Sequence, residues 1–358
     1  MLVVACVVAG ALALACAVLV LGLRPGRIPP YRDAAGRRRP GSIAEWVPVR
    51  VGGIDQWLAV WGRSQDLPVL LFLHGGPGSA ETPFLLRWNR DLGDHFIVAS
   101  WDQRGAGKTA FREAPPASFT IEQFVSDVHE ITGHLQDRFG RRKIYLVGHS
   151  WGAVIGLLAA AQHPDAYEAY VGLSQPLSFA AGALEAYRWA LSAAGERGDR
   201  RAAAELRAIG EPVAGRHRDG AAGLERQLGW VSRFGGGSRH DGGILPLAAA
   251  LFGSPAYSMR EKVGYLSTNG TTARLMYDEM IGSDRLLERV RRLDIPVYLC
   301  HGRFDMQVPL SVTERLFSGI AAPVKRLFVF EQSAHGLLYE EPARFHDILV
   351  GEVLGQSG

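Results

Sequence analysis

The segment "IYLVGHSWGAVIGLLAA", residues 144–160, changes character at Gly148. Before it lies a strand-like apolar run. After Ser150 an apolar helical pattern begins at once, with no polar side chain from Ala153 to Ala160. Buried strands that feed directly into buried helices build parallel α/β sheets, because parallel neighbours need a crossover connection. The pattern predicts a strand over 143–147 and a helix from Trp151 that ends before Pro164. Gly148 and Gly152 allow a tight turn around the serine. Ser150 then has two readings: a nucleophile on a sharp turn, or a small residue in a connection.

The same rhythm extends on both sides. "EWVPVRV" and "QWLAVWG" read as a hairpin around Gly52-Gly53. "PVLLFLHGGPG" and "HFIVASWDQRGAG" are apolar strands that run into glycine-bearing loops. Thr120 opens a helix with capping-box spacing to Gln123, and Ile121, Phe124, Val125, Val128, Ile131 and Leu135 form its apolar stripe. "AYVGLSQ" is another strand. After Pro176 the rhythm stops, and it returns at about 294 with "IPVYLCHGRFD" and "KRLFVFEQSAH". A last helix covers roughly 342–354. The expected architecture is a mostly parallel α/β core over 45–175 and 294–354, with a helical cap over 176–293 inserted after the sixth strand.

The first 23 residues carry no charged side chain, and Arg24, Arg27, Arg32, Arg37, Arg38 and Arg39 follow. A helix of that length spans a bilayer core of about 30 Å. No basic cluster precedes it, as a signal peptide would require. The expectation is a transmembrane anchor at 1–23 and a linker at 24–44. The membrane is then a partner, and the arginine flank places the catalytic domain on the cytoplasmic side. The 358 residues are 47% hydrophobic and 21% charged with a net charge of +3, and the arginines are scattered, which gives no reason to expect nucleic acid. Cys6 and Cys16 fall in the anchor and Cys300 stands alone, so neither an intramolecular disulfide nor zinc-type spacing is present in the rest of the chain. "GAGKT" is no phosphate loop, because the motif's first glycine would fall on Asp102. Neither a metal nor an organic cofactor is expected.

In open α/β sheets, functional residues gather at the carboxyl ends of strands. Four such ends bear reactive types: His74 to Gly78, Gly148 to Gly152, Gly302 to Asp305, and Ser333 to Gly336. They supply, in chain order, Ser150, Asp305 and His335. A serine hydroxyl needs a base to take its proton, and a histidine has a suitable pKa. A carboxylate fixes the imidazole tautomer. Each residue has a bland reading alone: Ser150 or Asp305 as a helix cap, and His335 or His74 as a structural histidine. Asp102 and Arg104 read as a structural pair. Together, Ser…Asp…His at strand ends point to catalysis.

With "HGGPG" at 74–78, "DQRGAGKT" at 102–109, "GHSWG" at 148–152, "GRFD" at 302–305 and "SAH" at 333–335, the chain resembles the α/β-hydrolases. Within them it is similar to the prolyl aminopeptidase (proline iminopeptidase) group. The resemblance covers about 45–175 and 294–354. It implies an α/β-hydrolase fold, Ser150 as nucleophile, Asp305 as orienting acid and His335 as base. It also implies an oxyanion hole from the backbone N–H groups of Gly76 and Trp151, with the Trp151 indole left to shape the pocket. The group often has glycine where this chain has His149, and serine where it has Lys108-Thr109. The expected function is a serine hydrolase that forms an acyl-enzyme on a small ester, amide or peptide. The alternative is a catalytically silent ligand-binding or scaffold protein on the same fold, held at a membrane. An aminopeptidase must neutralise its substrate's ammonium, and the cap offers Glu185, Glu205, Glu225, Glu261, Asp278 and Glu279 as candidates. Tyr265, Leu266, Leu275, Met276 and Tyr277 read as cap core or pocket lining.

Overall fold

The computed structural model describes residues 24–111, 114–239, 245–268, 270–284 and 290–355. Eight strands form one sheet: β1 (Ile43–Val51), β2 (Ile54–Gly62), β3 (Val69–Leu73), β4 (Ile97–Asp102), β5 (Ile144–His149), β6 (Tyr167–Leu173), β7 (Val297–Gly302) and β8 (Lys325–Phe330). Their spatial order is β1-β2-β4-β3-β5-β6-β7-β8. The β1–β2 hairpin and the β2–β4 pair are antiparallel, and every other pair is parallel. β3, β4, β5 and β7 are buried along their whole length. That explains their continuous apolar sequence, because helices cover both faces.

Successive side chains of β3 serve opposite layers. Val69, Leu71 and Leu73 join a core beneath α2 (Ile121–Phe139) and α3 (Trp151–Gln162). Leu70 and Phe72 join the other, which holds Phe84 and Leu85 of α1 (Thr82–Trp88) together with Leu337, Phe345 and Leu349. The N-terminus of α2 is capped as its sequence predicts, with Thr120 Oγ1 accepting from the Gln123 N–H at 3.2 Å. Between β6 and β7 the chain builds α4 (Phe179–Glu196), α5 (Arg200–Ile209), α6 (Ala221–Arg233), α7 (Leu245–Gly253), α8 (Met259–Thr268), α9 (Thr271–Leu275) and α10 (Tyr277–Gly282). Alanines at 186, 190, 193 and 194 let α4 pack closely on α5 and α6, with Leu206, Trp230 and Val231 filling this small third core.

Two expectations need correction. Among the described residues no helix is long and apolar enough to cross a membrane, and residues 1–23 lie outside them, so the transmembrane anchor and the membrane localisation drawn from it are withdrawn. The stretch after it packs onto the body in part: Ile28 is buried, and the Arg27 N–H donates to the Pro255 carbonyl at 2.8 Å.

The second correction concerns Arg104, whose partner is Asp127 and not Asp102. Both side chains are fully buried, and the guanidinium grips the carboxylate through Nε at 2.8 Å and Nη2 at 3.0 Å. Gln56 and Gln123 donate to the same carboxylate, each at 2.8 Å, and Gln56 accepts from the Trp101 indole at 3.0 Å. The network ties β2, β4, the loop after β4 and α2. Arg104→Met strands a buried carboxylate and should cost about 3–5 kcal/mol in urea unfolding. A loss below 1 kcal/mol would contradict this account.

Candidate active site

Ser150 sits between the end of β5 and the first turn of α3 with φ 52° and ψ −113°. A non-glycine residue at positive φ is strained, and such strain collects at functional turns. The turn is possible because its flanks lack side chains. A Cβ on Gly148 would lie 2.4 Å from the Gly152 carbonyl oxygen, and one on Gly152 would lie 2.0 Å from that of Leu73. The Ser150 N–H donates to Leu173 O at 2.9 Å, which fixes the turn to β6.

His335 follows β8, and Asp305 follows β7. The His335 Nδ1–H donates to Asp305 Oδ2 at 2.8 Å. The other oxygen, Oδ1, accepts from the N–H groups of Gln307 and Val308, each at 2.9 Å. Asp305 therefore caps no helix, since the next one begins at Leu310 behind Pro309, but it braces the turn after β7 while it orients His335. Burial alone would raise the Asp305 pKa, but His335, its hydrogen bond, His301 and the Val308 N–H outweigh it and hold the carboxyl below its usual range. Ser150, His335 and Gly76 line one cavity of about 140 Å³, with Pro176, Phe179, Gly182, Ala183 and Leu224 forming much of its apolar wall.

The loop from Gly76 faces this cavity, and Trp151 opens α3, whose N-terminus carries positive dipole. The Trp151 indole corrects another expectation. It does not shape the pocket: the side chain is 1% exposed and packs edge-on to Phe124 at 5.4 Å, while Nε1–H donates to Gln103 Oε1 at 3.1 Å. Gln103 in turn donates through Nε2 to the His74 carbonyl at 2.9 Å and through its N–H to His74 Nε2 at 3.2 Å. Trp151 is therefore a strut beneath the site.

His74 is structural. Its Nδ1–H donates to Gly75 O at 2.8 Å while Nε2 accepts, so the ring is held neutral. Burial lowers its pKa from 6.5 to about 4. The unfolded chain then takes the proton first, so this contribution is complete above about pH 6.5 and fades as pH falls towards 4. The loss amounts to about 3 kcal/mol. Urea titrations from pH 7 to 4 should show the wild type losing that much more stability than His74→Gln; equal slopes would refute it.

His149 is the opposite case. Its Nδ1 lies 2.6 Å from Glu81 Oε1, and its Nε2 lies 3.0 Å from the His335 carbonyl oxygen. The carbonyl can only accept, so Nε2 carries a proton. The pair His149–Glu81 then holds one more proton between the other nitrogen and the carboxylate. Burial works against the charged ring, but Glu81, its hydrogen bond and the His335 carbonyl outweigh it and raise the pKa. The two rings of His149 and His335 stand 5.0 Å apart. Glu81 was not among the residues picked from sequence. Its only signal was its place five residues beyond Gly76, at the end of a glycine-rich loop.

Five of the six acids offered by the cap are engaged, and one of these, Glu225, is engaged on the wall of the Ser150 cavity itself. Glu185 accepts from Ser311, Glu225 pairs with Arg274, Glu261 with Lys108 and Asp278 with Arg216, and Glu279 accepts from the Ile121 N–H. Glu205 lines neither cavity that touches His335. Tyr265 and Leu266 line the second of these cavities, whereas Met276 and Tyr277 are buried and Leu275 is exposed. Asp102 binds the cap to the floor: it accepts from the Tyr257 hydroxyl at 2.8 Å, the Thr82 hydroxyl at 3.2 Å and the Lys108 N–H at 2.8 Å. Burial nonetheless lifts its pKa to about 7 against those donors. Among the described residues no group of histidine, cysteine, aspartate or glutamate side chains could hold a metal ion.

Comparison with known proteins identifies the family. Residues 68–342 match the family described as the alpha/beta hydrolase fold. The chain is 30% identical over 308 residues to a probable aminopeptidase, YbaC, of Bacillus subtilis, covering 86% of this chain and 96% of that one. A proline iminopeptidase structure from Mycobacterium smegmatis superposes with a TM-score of 0.60 at 21% identity, covering 87% of this chain and 99% of that one. An esterase from a Rhodococcus species, RhEst1, does so with 0.58 at 20%, covering 88% and 98%. These two likenesses speak for the fold alone. The family match and the aminopeptidase relative carry the assignment, and the chain is an enzyme that belongs to the α/β-hydrolase family.

Proposed function

We propose that the protein is a serine hydrolase with Ser150 as nucleophile, His335 as base, Asp305 as orienting acid and the N–H groups of Gly76 and Trp151 as oxyanion donors. The observation that carries this is the His335 Nδ1–H donated to Asp305 at 2.8 Å, with His335 and Ser150 on the wall of one cavity. That hydrogen bond commits Nδ1 as donor and leaves Nε2 as the site for a proton. His335 Nε2 takes the Ser150 proton as Oγ attacks the substrate carbonyl carbon. The carbonyl oxygen becomes an oxyanion, which the Gly76 and Trp151 N–H groups and the start of α3 stabilise. The intermediate collapses as His335 gives its proton to the leaving amine or alcohol. Water, deprotonated by His335, then attacks the acyl-enzyme, and Ser150 recovers its proton.

The acyl cavity is small and mostly apolar, which suits short acyl or aminoacyl groups. The YbaC relative favours aminopeptidase chemistry over esterase chemistry. A fluorophosphonate probe tests the reaction class: it should label the wild type covalently at Ser150. Folded wild-type protein that takes no label would sink the reading. Hydrolysis of proline and alanine arylamides, measured against short acyl esters, then separates the two substrate classes.

A further inference from the structure

A second cavity, of about 300 Å³, meets the first at His335 and Gln307. Its character is different. Glu81, His149 and Glu340 supply its charged groups, and among its described lining residues there is neither lysine nor arginine. Four aromatic rings form a continuous wall: Phe84 lies 5.8 Å from Tyr339 and 6.3 Å from Tyr265, and Trp88 lies 5.3 Å from Tyr339.

The charges of this chamber do not cancel. The His149–Glu81 pair shares one proton and is neutral as a unit. Glu340 adds a negative charge, and its partners are the Ser238 hydroxyl, the Arg239 N–H and the Ala334 N–H, all of them neutral donors. Asp305, behind His335, adds another while His335 is neutral. Glu81 is 6% exposed; its Oε2 has no partner at full hydrogen-bond geometry, and the nearby Tyr339 hydroxyl interacts with its carboxylate. It lies near enough to Tyr265 and Tyr339 for its charge, after burial, to raise both phenols. A buried carboxylate oxygen with spare acceptor capacity, excess negative charge and a wall of aromatic rings together suit one organic cation.

We propose that this chamber binds the free ammonium of an aminoacyl substrate, with Glu81 as its anchor and the Phe84, Trp88, Tyr265 and Tyr339 rings around it. The proposal rests on the acyl-transfer reading above. It places the aminopeptidase cation site on the core strand–loop that also bears Gly76 rather than on the cap, whose one acid on the Ser150 cavity, Glu225, is already paired there with Arg274. The aminoacyl side chain then occupies the small cavity beside Ser150, and blocking the amine removes the contact with Glu81.

The test compares Glu81→Gln with wild type on alanine and proline arylamides and on p-nitrophenyl butyrate. The ratio of arylamide to ester kcat/KM should fall by about thirtyfold, chiefly through KM, as expected for one lost charge-assisted hydrogen bond. A ratio unchanged within about threefold overturns the proposal, because Glu81 would then act only through His149 on the common machinery. Wild type that hydrolyses esters but no free-amine arylamide also overturns it, yet leaves the hydrolase reading intact. Absence of fluorophosphonate labelling would instead strike that reading. A second measurement covers a variant that fails to fold: propylammonium should inhibit wild-type ester hydrolysis, and N-acetylated arylamides should be poorer substrates than free ones. No inhibition and no preference for the free amine would overturn the site.

Discussion

Ser150→Ala is expected to lower kcat by about 10⁶-fold, with KM and thermal stability close to wild type. The hydroxyl is the bond-forming atom in the proposed cycle, so its loss leaves His335 with no proton to take. What survives is binding and oxyanion stabilisation, which by themselves still favour attack by water. The fold should tolerate the change, because alanine fits wherever serine does and the Ser150 N–H, which holds the turn to Leu173, is retained. Fluorophosphonate labelling should disappear. Combining it with His335→Ala should cost little more, since the two residues act as one unit. Arylamide and ester turnover within tenfold of wild type would remove Ser150 from the mechanism.

Asp305→Asn should cost about 10⁴-fold in kcat without unfolding the protein. The direction of the amide is set by the surroundings. Oδ1 accepts from two backbone N–H groups, at Gln307 and Val308. An asparagine keeps those bonds only by placing its carbonyl oxygen there, which points its NH₂ at His335 Nδ1. That nitrogen must then accept, so the imidazole proton moves to Nε2, where it blocks removal of the serine proton. The imidazolium that forms later also loses its counter-charge. The carboxyl's lowered pKa adds a stability term that is present above the usual carboxylate range and lost as pH falls through the folded value. Its disappearance in Asp305→Asn should flatten the acid limb of the unfolding curve. A variant that retains a tenth of wild-type kcat would show that His335 orients itself without Asp305.

Much of this was legible in the residues. Continuous apolar runs such as Val69–Leu73 announce strands covered on both sides, and Thr120 with Gln123 announces the start of α2. Gly148 and Gly152 announce the elbow, because close backbone approach leaves no alternative residue. Longer-range choices were not legible. Asp102 and Arg104 are two apart, a spacing that shares one face of a strand, yet they point into different networks, since β4 ends at Asp102 and Arg104 lies in the loop beyond it. Trp151 reads as a pocket residue beside the serine, but its helix turns the indole into the core. Glu81 carries no motif; its meaning comes from folding against His149, 68 positions away. The charge-free opening segment reads as an anchor by composition, which fixes hydrophobicity without fixing a location.

The grip of Asp102 on Tyr257 has an evolutionary side. One carboxylate gathers a hydroxyl from the cap, a hydroxyl from α1 and a backbone N–H from its own loop. Changes in the cap that retune specificity are therefore not independent of the floor. A lineage that lost the hydroxyl at position 257 would leave a buried carboxylate short of a donor between the cap and the core. Cap substitutions that keep that tyrosine should therefore be tolerated more readily than those that remove it.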